Sequence, residues 1–153
     1  VPFSDASGDR LREWMAVSAE EFYDESRVAI VPMGFCFPGL DASGADLPPR
    51  RECAPRWRTR VFAELHRVEL ILLVGGYAQR WHLGALANGG VTETVRAWRD
   101  FGDSEQRPRH LPLPHPSWRN NAWIRANPWF RSELLPELRA EVRRILDADN
   151  RPT

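Results

Sequence analysis

Three short apolar runs, each stopped by a breaker residue and separated by helix-like sequence, constrain this chain more than any other feature. They are Val28 to Met33, Glu69 to Val74 and Arg109 to Leu113. Runs of this length, bounded by glycine or proline, read as buried strands. Gly34 follows the first, Gly75-Gly76 the second and Pro114 the third. Strands alternating with helices predict an α/β fold with a short, mainly parallel sheet. Three strands make a thin sheet. The opening residues, Val1-Pro2-Phe3-Ser4-Asp5, read like the middle of a loop. Both features lead to the expectation that a segment, with a further strand, lies upstream.

The helical segments follow from capping and spacing. Ser7 or Asp9 is expected to cap a helix whose apolar face is Leu11, Trp14 and Met15. Ser18 with Glu21 three residues on is a capping-box pattern, so a short second helix is expected to about Tyr23. Gly34 to Arg51 is loop, broken by Pro38-Gly39, Ser43-Gly44 and Pro48-Pro49. Cys53 to about Val68 is expected to be one helix with Trp57, Val61, Phe62 and Leu65 inward. Tyr77 to Leu83, Val91 to Phe101, Asn121 to Trp129 and Ser132 to Leu146 complete the set. Pro136 falls near the start of the last, where proline is tolerated.

Composition bounds the function classes. At 153 residues, 42% hydrophobic and 27% charged, the chain reads as one globular domain. No apolar run is long enough to span a bilayer, and the first residues do not read as a secretory signal. The expectation is a cytoplasmic bacterial monomer with no membrane partner. Net charge is zero, so no global field favours nucleic acid. Every basic residue is Arg, however, and Arg119, Arg125 and Arg131 fall close to the segment described next. Arginine suits phosphate.

That segment is Leu113-Pro114-His115-Pro116-Ser117-Trp118-Arg119-Asn120. Two prolines stiffen the backbone on either side of His115. The histidine stands where a strand ends and a helix begins, the usual site of chemistry in open α/β sheets. It is either a strand-end cap or a positioned hydrogen-bond donor to an oxygen that gains charge. Ser117, Arg119 and Asn120 read either as ordinary capping groups or as phosphate ligands. Trp118, exposed if its loop is exposed, suits wedging or stacking on bases.

Met33-Gly34-Phe35-Cys36 lies at the end of the first expected strand, where Gly34 permits close approach and the phenylalanines could wall a pocket. Gly75-Gly76-Tyr77 lacks the spacing of a dinucleotide site. The chain has two cysteines, Cys36 and Cys53. Two thiols cannot complete a metal site alone, and small buried apolar residues is the simpler reading.

Together these residues resemble the uracil-DNA glycosylase superfamily, near its iron–sulfur branch. His115-Pro116-Ser117 matches the superfamily's second motif, with Asn120, Asn121 and Asn127-Pro128-Trp129-Phe130 following. Pro2-Phe3 with Ser7-Gly8, the strand into Met33-Gly34-Phe35-Cys36, Pro48-Pro49 to Cys53, and Gly75 with Tyr77-Ala78 also match. The resemblance implies a three-layer α/β/α sandwich of sheet order 2-1-3-4, with residues 1–153 a single domain lacking its N-terminal segment. That segment would carry the first strand, the water-positioning first motif and two further cysteines.

By the same resemblance His115 stabilises the departing base anion. Phe3, with Met33, Gly34 and Phe35, forms the base pocket. Ser117 pinches a phosphate, Trp118 or Arg119 fills the gap left by the flipped base, and Asn120 completes the DNA-binding loop. Cys36 and Cys53 would be two of four ligands to a 4Fe–4S cluster, completed only by upstream cysteines. Pro32 or Met33 stands where that branch often has a uracil-reading Asn. The implied activity is hydrolytic removal of uracil or a related damaged base from DNA, in base-excision repair. The alternative is a nucleic-acid-binding module of the same fold that lacks the chemistry.

Overall fold

In a computed structural model, residues 1–35, 37–44, 47–101 and 107–149 are described. Helices are α1 (Ala6–Met15), α2 (Ala19–Phe22), α3 (Thr59–Glu64), α4 (Gly76–Leu83), α5 (Gly90–Arg96), α6 (Asn121–Ala126) and α7 (Leu135–Asp149). Strands are β1 (Leu70–Val74) and β2 (Arg109–Leu113). The chain forms two compact units. One comprises Val1–Ala29 and the residues from Glu69 onward, the other Ile30–Val68.

In the first unit β1 and β2 pair in parallel, from Leu70 opposite Arg109 to Val74 opposite Leu113. Their inward side chains, Leu73, Leu111 and Leu113, are buried. Parallel pairing brings both C-terminal ends to the same edge of the sheet. The buried amide of Gln79 on α4 ties them: its Nε2 donates to the carbonyls of Leu73 (3.3 Å) and Leu113 (2.9 Å). The Gly75 N–H also donates to Leu113, at 2.9 Å.

α1 buries Leu11, Trp14 and Met15, the face its spacing predicts. Its cap is neither Ser7 nor Asp9, which lie inside the first turn, but Asp5, whose carboxylate accepts from the Gly8 N–H at 3.2 Å. Ser18 and Glu21 form the expected capping box on α2. α7 packs on α1, and Trp14 meets Phe130 edge to face at 4.9 Å. The Arg139 guanidinium donates to the carbonyls of Glu13 and Trp14 at the end of α1. A π turn over Phe130–Leu134 leads into α7. Pro136 is the second residue of α7, early in the helix as expected. On the outer face Glu141 is paired with Arg107 and Arg144, and Arg144 reaches Glu69 at 2.8 Å.

In the second unit a π turn, Ala54–Arg58, continues into α3. The single helix expected over Cys53 to Val68 is therefore shorter and ends at Glu64. Its buried residues are Cys53, Ala54 and Arg58. Trp57, expected inward, is exposed, and Val61, Phe62 and Leu65 are half-buried. The strand expected at Val28 to Met33 does not form. Pro32 has no N–H for a ladder. The carbonyls of Val31 and Pro32 are taken by the Arg58 guanidinium, at 2.8 and 2.9 Å. The sheet among the described residues thus has two strands. No helix among them is long and apolar enough to cross a membrane.

Candidate active-site loop

Pro114 and Pro116 are buried, and His115 between them is exposed. The prolines dock the loop while the imidazole projects from it. Ser117 has an extended backbone (φ −65°, ψ 156°) and begins a short 3-10 turn, Trp118–Asn120. Its N–H points back and donates to Nδ1 of His115 at 3.2 Å. A backbone N–H can only donate, so Nδ1 is the unprotonated nitrogen, and the neutral ring carries its proton on Nε2. That N–H has no acceptor among the described residues. Partial loss of water around the ring pushes the His115 pKa below its ordinary value, with Asp5 pulling weakly the other way. At neutral pH the ring is a neutral Nε2–H donor.

Three contacts fix the loop. Asn120 Nδ2 donates to the His115 carbonyl at 2.7 Å. Arg10 on α1 donates to the Ser117 carbonyl at 3.1 Å. Gly75, at φ +83°, lies beside the imidazole: a β-carbon there would stand 3.7 Å from His115 Cβ. Space would allow a side chain at that position, but the backbone angle favours glycine.

Phe3 stacks on His115 with ring centroids 6.5 Å apart and planes 29° from parallel. Phe3 itself is in the left-handed region (φ 57°), uncommon for a bulky side chain. Its carbonyl receives hydrogen bonds from Tyr23 (2.8 Å) and Arg12 (3.2 Å). These hold the residue in its costly conformation.

The remaining residues named from sequence fall as follows. The Ser117 hydroxyl makes no capping hydrogen bond, so the capping reading does not apply to it. Asn120 stands at the cap position of α6, but its amide serves the His115 carbonyl and not the helix. Trp118 is 72% exposed, with the Arg119 guanidinium 5.6 Å from its ring centroid. Met33, Gly34 and Phe35 belong to the second unit, where the first two are half-buried and Phe35 is exposed. Cys36 lies outside the described residues. Cys53 is a buried free thiol. Among the described residues no group of three His, Cys, Asp or Glu side chains converges. Cys53 is the one cysteine among the described residues, and one thiol does not by itself make up the four-thiolate donor set of such a cluster.

Sequence reasoning missed Asp5, Arg10 and Gln79. Gln79 had a signal, since a polar residue one turn after a strand-ending Gly-Gly can satisfy strand-end carbonyls. Arg10 had none, because its partner lies 107 residues away.

A family model for the uracil DNA glycosylase superfamily matches residues 1–139. The match takes in both strands, the Phe3 segment and the His115 loop. The chain belongs to the uracil DNA glycosylase superfamily.

Proposed function

We propose that the protein is a DNA glycosylase that hydrolyses the N-glycosidic bond of uracil, or of a related damaged base, in base-excision repair. The observation that carries this reading is the Ser117 N–H on His115 Nδ1. It leaves a preorganised Nε2–H beside an aromatic ring in a loop otherwise rich in phosphate-binding groups.

The target base must first leave the helix stack, at a cost of about a few kcal/mol. The Ser117 hydroxyl, uncommitted within the loop, binds a backbone phosphate. Trp118 or Arg119 enters the vacated space. Phe3 walls the extruded base. As the bond breaks, its electron pair departs with the base, and water supplies the new bond to the sugar carbon and releases a proton to solvent. Negative charge gathers on the base's carbonyl oxygen. His115 Nε2–H donates to that oxygen, and one such donor is typically worth about 3 kcal/mol.

The test is an end-labelled duplex carrying one uracil, incubated with the protein and then treated with alkali. Strand scission that disappears in His115→Ala is the expected result. A folded protein that retards this DNA and leaves no alkali-labile site is a binding module, and the glycosylase reading fails.

A further inference from the structure

Beyond the His115 loop the chain changes electrostatic character. Acidic and basic residues balance at 21 each over the whole sequence, yet residues 107–132 contain no Asp or Glu. Other arginines of the unit, inside and outside this stretch, are paired with carboxylates from beyond it, as Arg109 with Glu137 and Arg99 with Glu133. Arg125 and Arg131 are exposed and make no such pair among the described residues. Both line one groove of about 470 Å³, together with Asn121, Ile124, Pro128 and Ser132.

The groove is built on a fixed bend. α6 stops at Ala126 because Pro128 follows, and the chain restarts as the turn that leads to α7. The buried Asn127 locks this bend. Its amide donates to the Trp123 carbonyl at 2.8 Å, and its oxygen accepts from the Trp129 indole at 3.2 Å. The bend sets Arg125 and Arg131 on opposite sides of a half-turn, facing the same space. Two guanidiniums and the Asn121 amide over an apolar floor of Ile124 and Pro128 suit a phosphate diester and the edge of its deoxyribose; the Ser132 hydroxyl is committed to the Pro128 carbonyl at 3.3 Å.

We infer that this groove binds a phosphodiester of the DNA backbone outside the target nucleotide. The inference rests on the DNA glycosylase reading and extends its footprint. The groove begins at Asn121, the first residue of α6 and six residues after His115, so it takes a phosphate flanking the target nucleotide. Its guanidiniums contribute to binding and not to bond cleavage, because the reacting atoms lie at His115.

The test compares wild type with Arg125→Gln/Arg131→Gln on uracil-containing and uracil-free duplexes, by binding across a salt series and by single-turnover excision. Half-saturation of the double variant should rise roughly tenfold. Its log–log salt dependence should be shallower by about one to two. Its maximal single-turnover rate should be unchanged, and Arg125→Lys/Arg131→Lys should restore most of the salt slope. Duplexes trimmed to about two base pairs on each side of the uracil in turn should cost wild type the same factor on one side, and the double variant nothing.

Equal salt slopes for wild type and double variant overturn the inference. So does a rate that falls at constant affinity, or a trimmed duplex that wild type binds as tightly as the full one. Because binding is read on uracil-free duplex too, absence of excision by the wild type sinks the glycosylase reading and leaves the groove standing.

Discussion

Gly8 lies so close beneath Phe3 that a β-carbon at position 8 would come within 1.6 Å of the Phe3 carbonyl oxygen. No side chain fits there. The clash is with backbone, and that backbone is held by Tyr23 and Arg12. Gly8→Ala should cost at least about 2 kcal/mol, read by urea unfolding. It should also slow excision, because the Phe3 ring can no longer lie against His115. Unchanged stability would mean that the Phe3 segment relaxes freely.

Ser117 offers two groups that substitution can separate. Ser117→Ala removes the hydroxyl and keeps the N–H. Ser117→Pro removes both, at a backbone angle proline accepts. The first should raise half-saturation by several-fold at constant maximal rate. The second should in addition lower the maximal rate by at least about tenfold, because Nδ1 loses the donor that sets the tautomer. If the two variants are kinetically alike, the N–H has no part in the chemistry.

His115→Ala should lower the single-turnover rate at least about a hundredfold and leave the unfolding midpoint nearly unchanged, since the ring is exposed. The wild-type rate should fall on the acid side with an apparent pKa below 6.5, the direction in which partial loss of water around the ring moves this group. The stability sign follows. Between the folded pKa and 6.5 the unfolded chain binds more protons, so stability rises with pH across that window and is lost below it. Protonation also places a hydrogen on Nδ1, opposite the Ser117 N–H. An acid limb with a midpoint above 6.5 would contradict this arrangement.

Glu141 should dominate acid unfolding. Hydrogen bonds from Arg144 and Arg107 hold its carboxyl at about 2, against an ordinary 4.5. A depressed carboxylate pKa stabilises the fold above the unfolded value, and that stability disappears as pH falls from about 4.5 to about 2. Glu141→Gln should flatten the stability profile in this window and lower stability at pH 7. An unchanged profile would place the acid sensitivity elsewhere.

Gln79→Leu keeps the bulk of a buried side chain and removes its two hydrogen bonds to strand-end carbonyls. It should cost about 1–3 kcal/mol and reduce excision several-fold through the position of Gly75. A variant as stable as wild type, measured by urea unfolding, would show that the strand ends need no tie.

What was legible in the sequence divides by the range of the interaction that decides it. β2 was readable to the residue, because an apolar run ending in proline has few alternatives. β1 was readable to within one residue for the same reason. Val28 to Met33 has the same composition but no ladder, and the cause lies in Arg58, 26 and 27 residues away from the carbonyls it takes. His115, Ser117 and Phe3 could be singled out by motif. The direction of the Ser117 N–H, and with it the tautomer of His115, depends on one pair of backbone angles that no residue type announces. The groove beside Arg125 and Arg131 depends on a helix break that Pro128 signals and on an asparagine lock that it does not.

Arg10 and Arg139 give the loop a history as well as a geometry. Arg10 reaches Ser117 across 107 residues of chain, and Arg139 reaches the end of α1 across 125 and 126. Contacts this distant form only after long loop closure. The final fixing of the loop that carries His115 therefore requires both ends of the unit to be in place. A partly assembled chain would hold the histidine on an unsecured backbone. Under the glycosylase function proposed above, competence then depends on assembly of the whole unit.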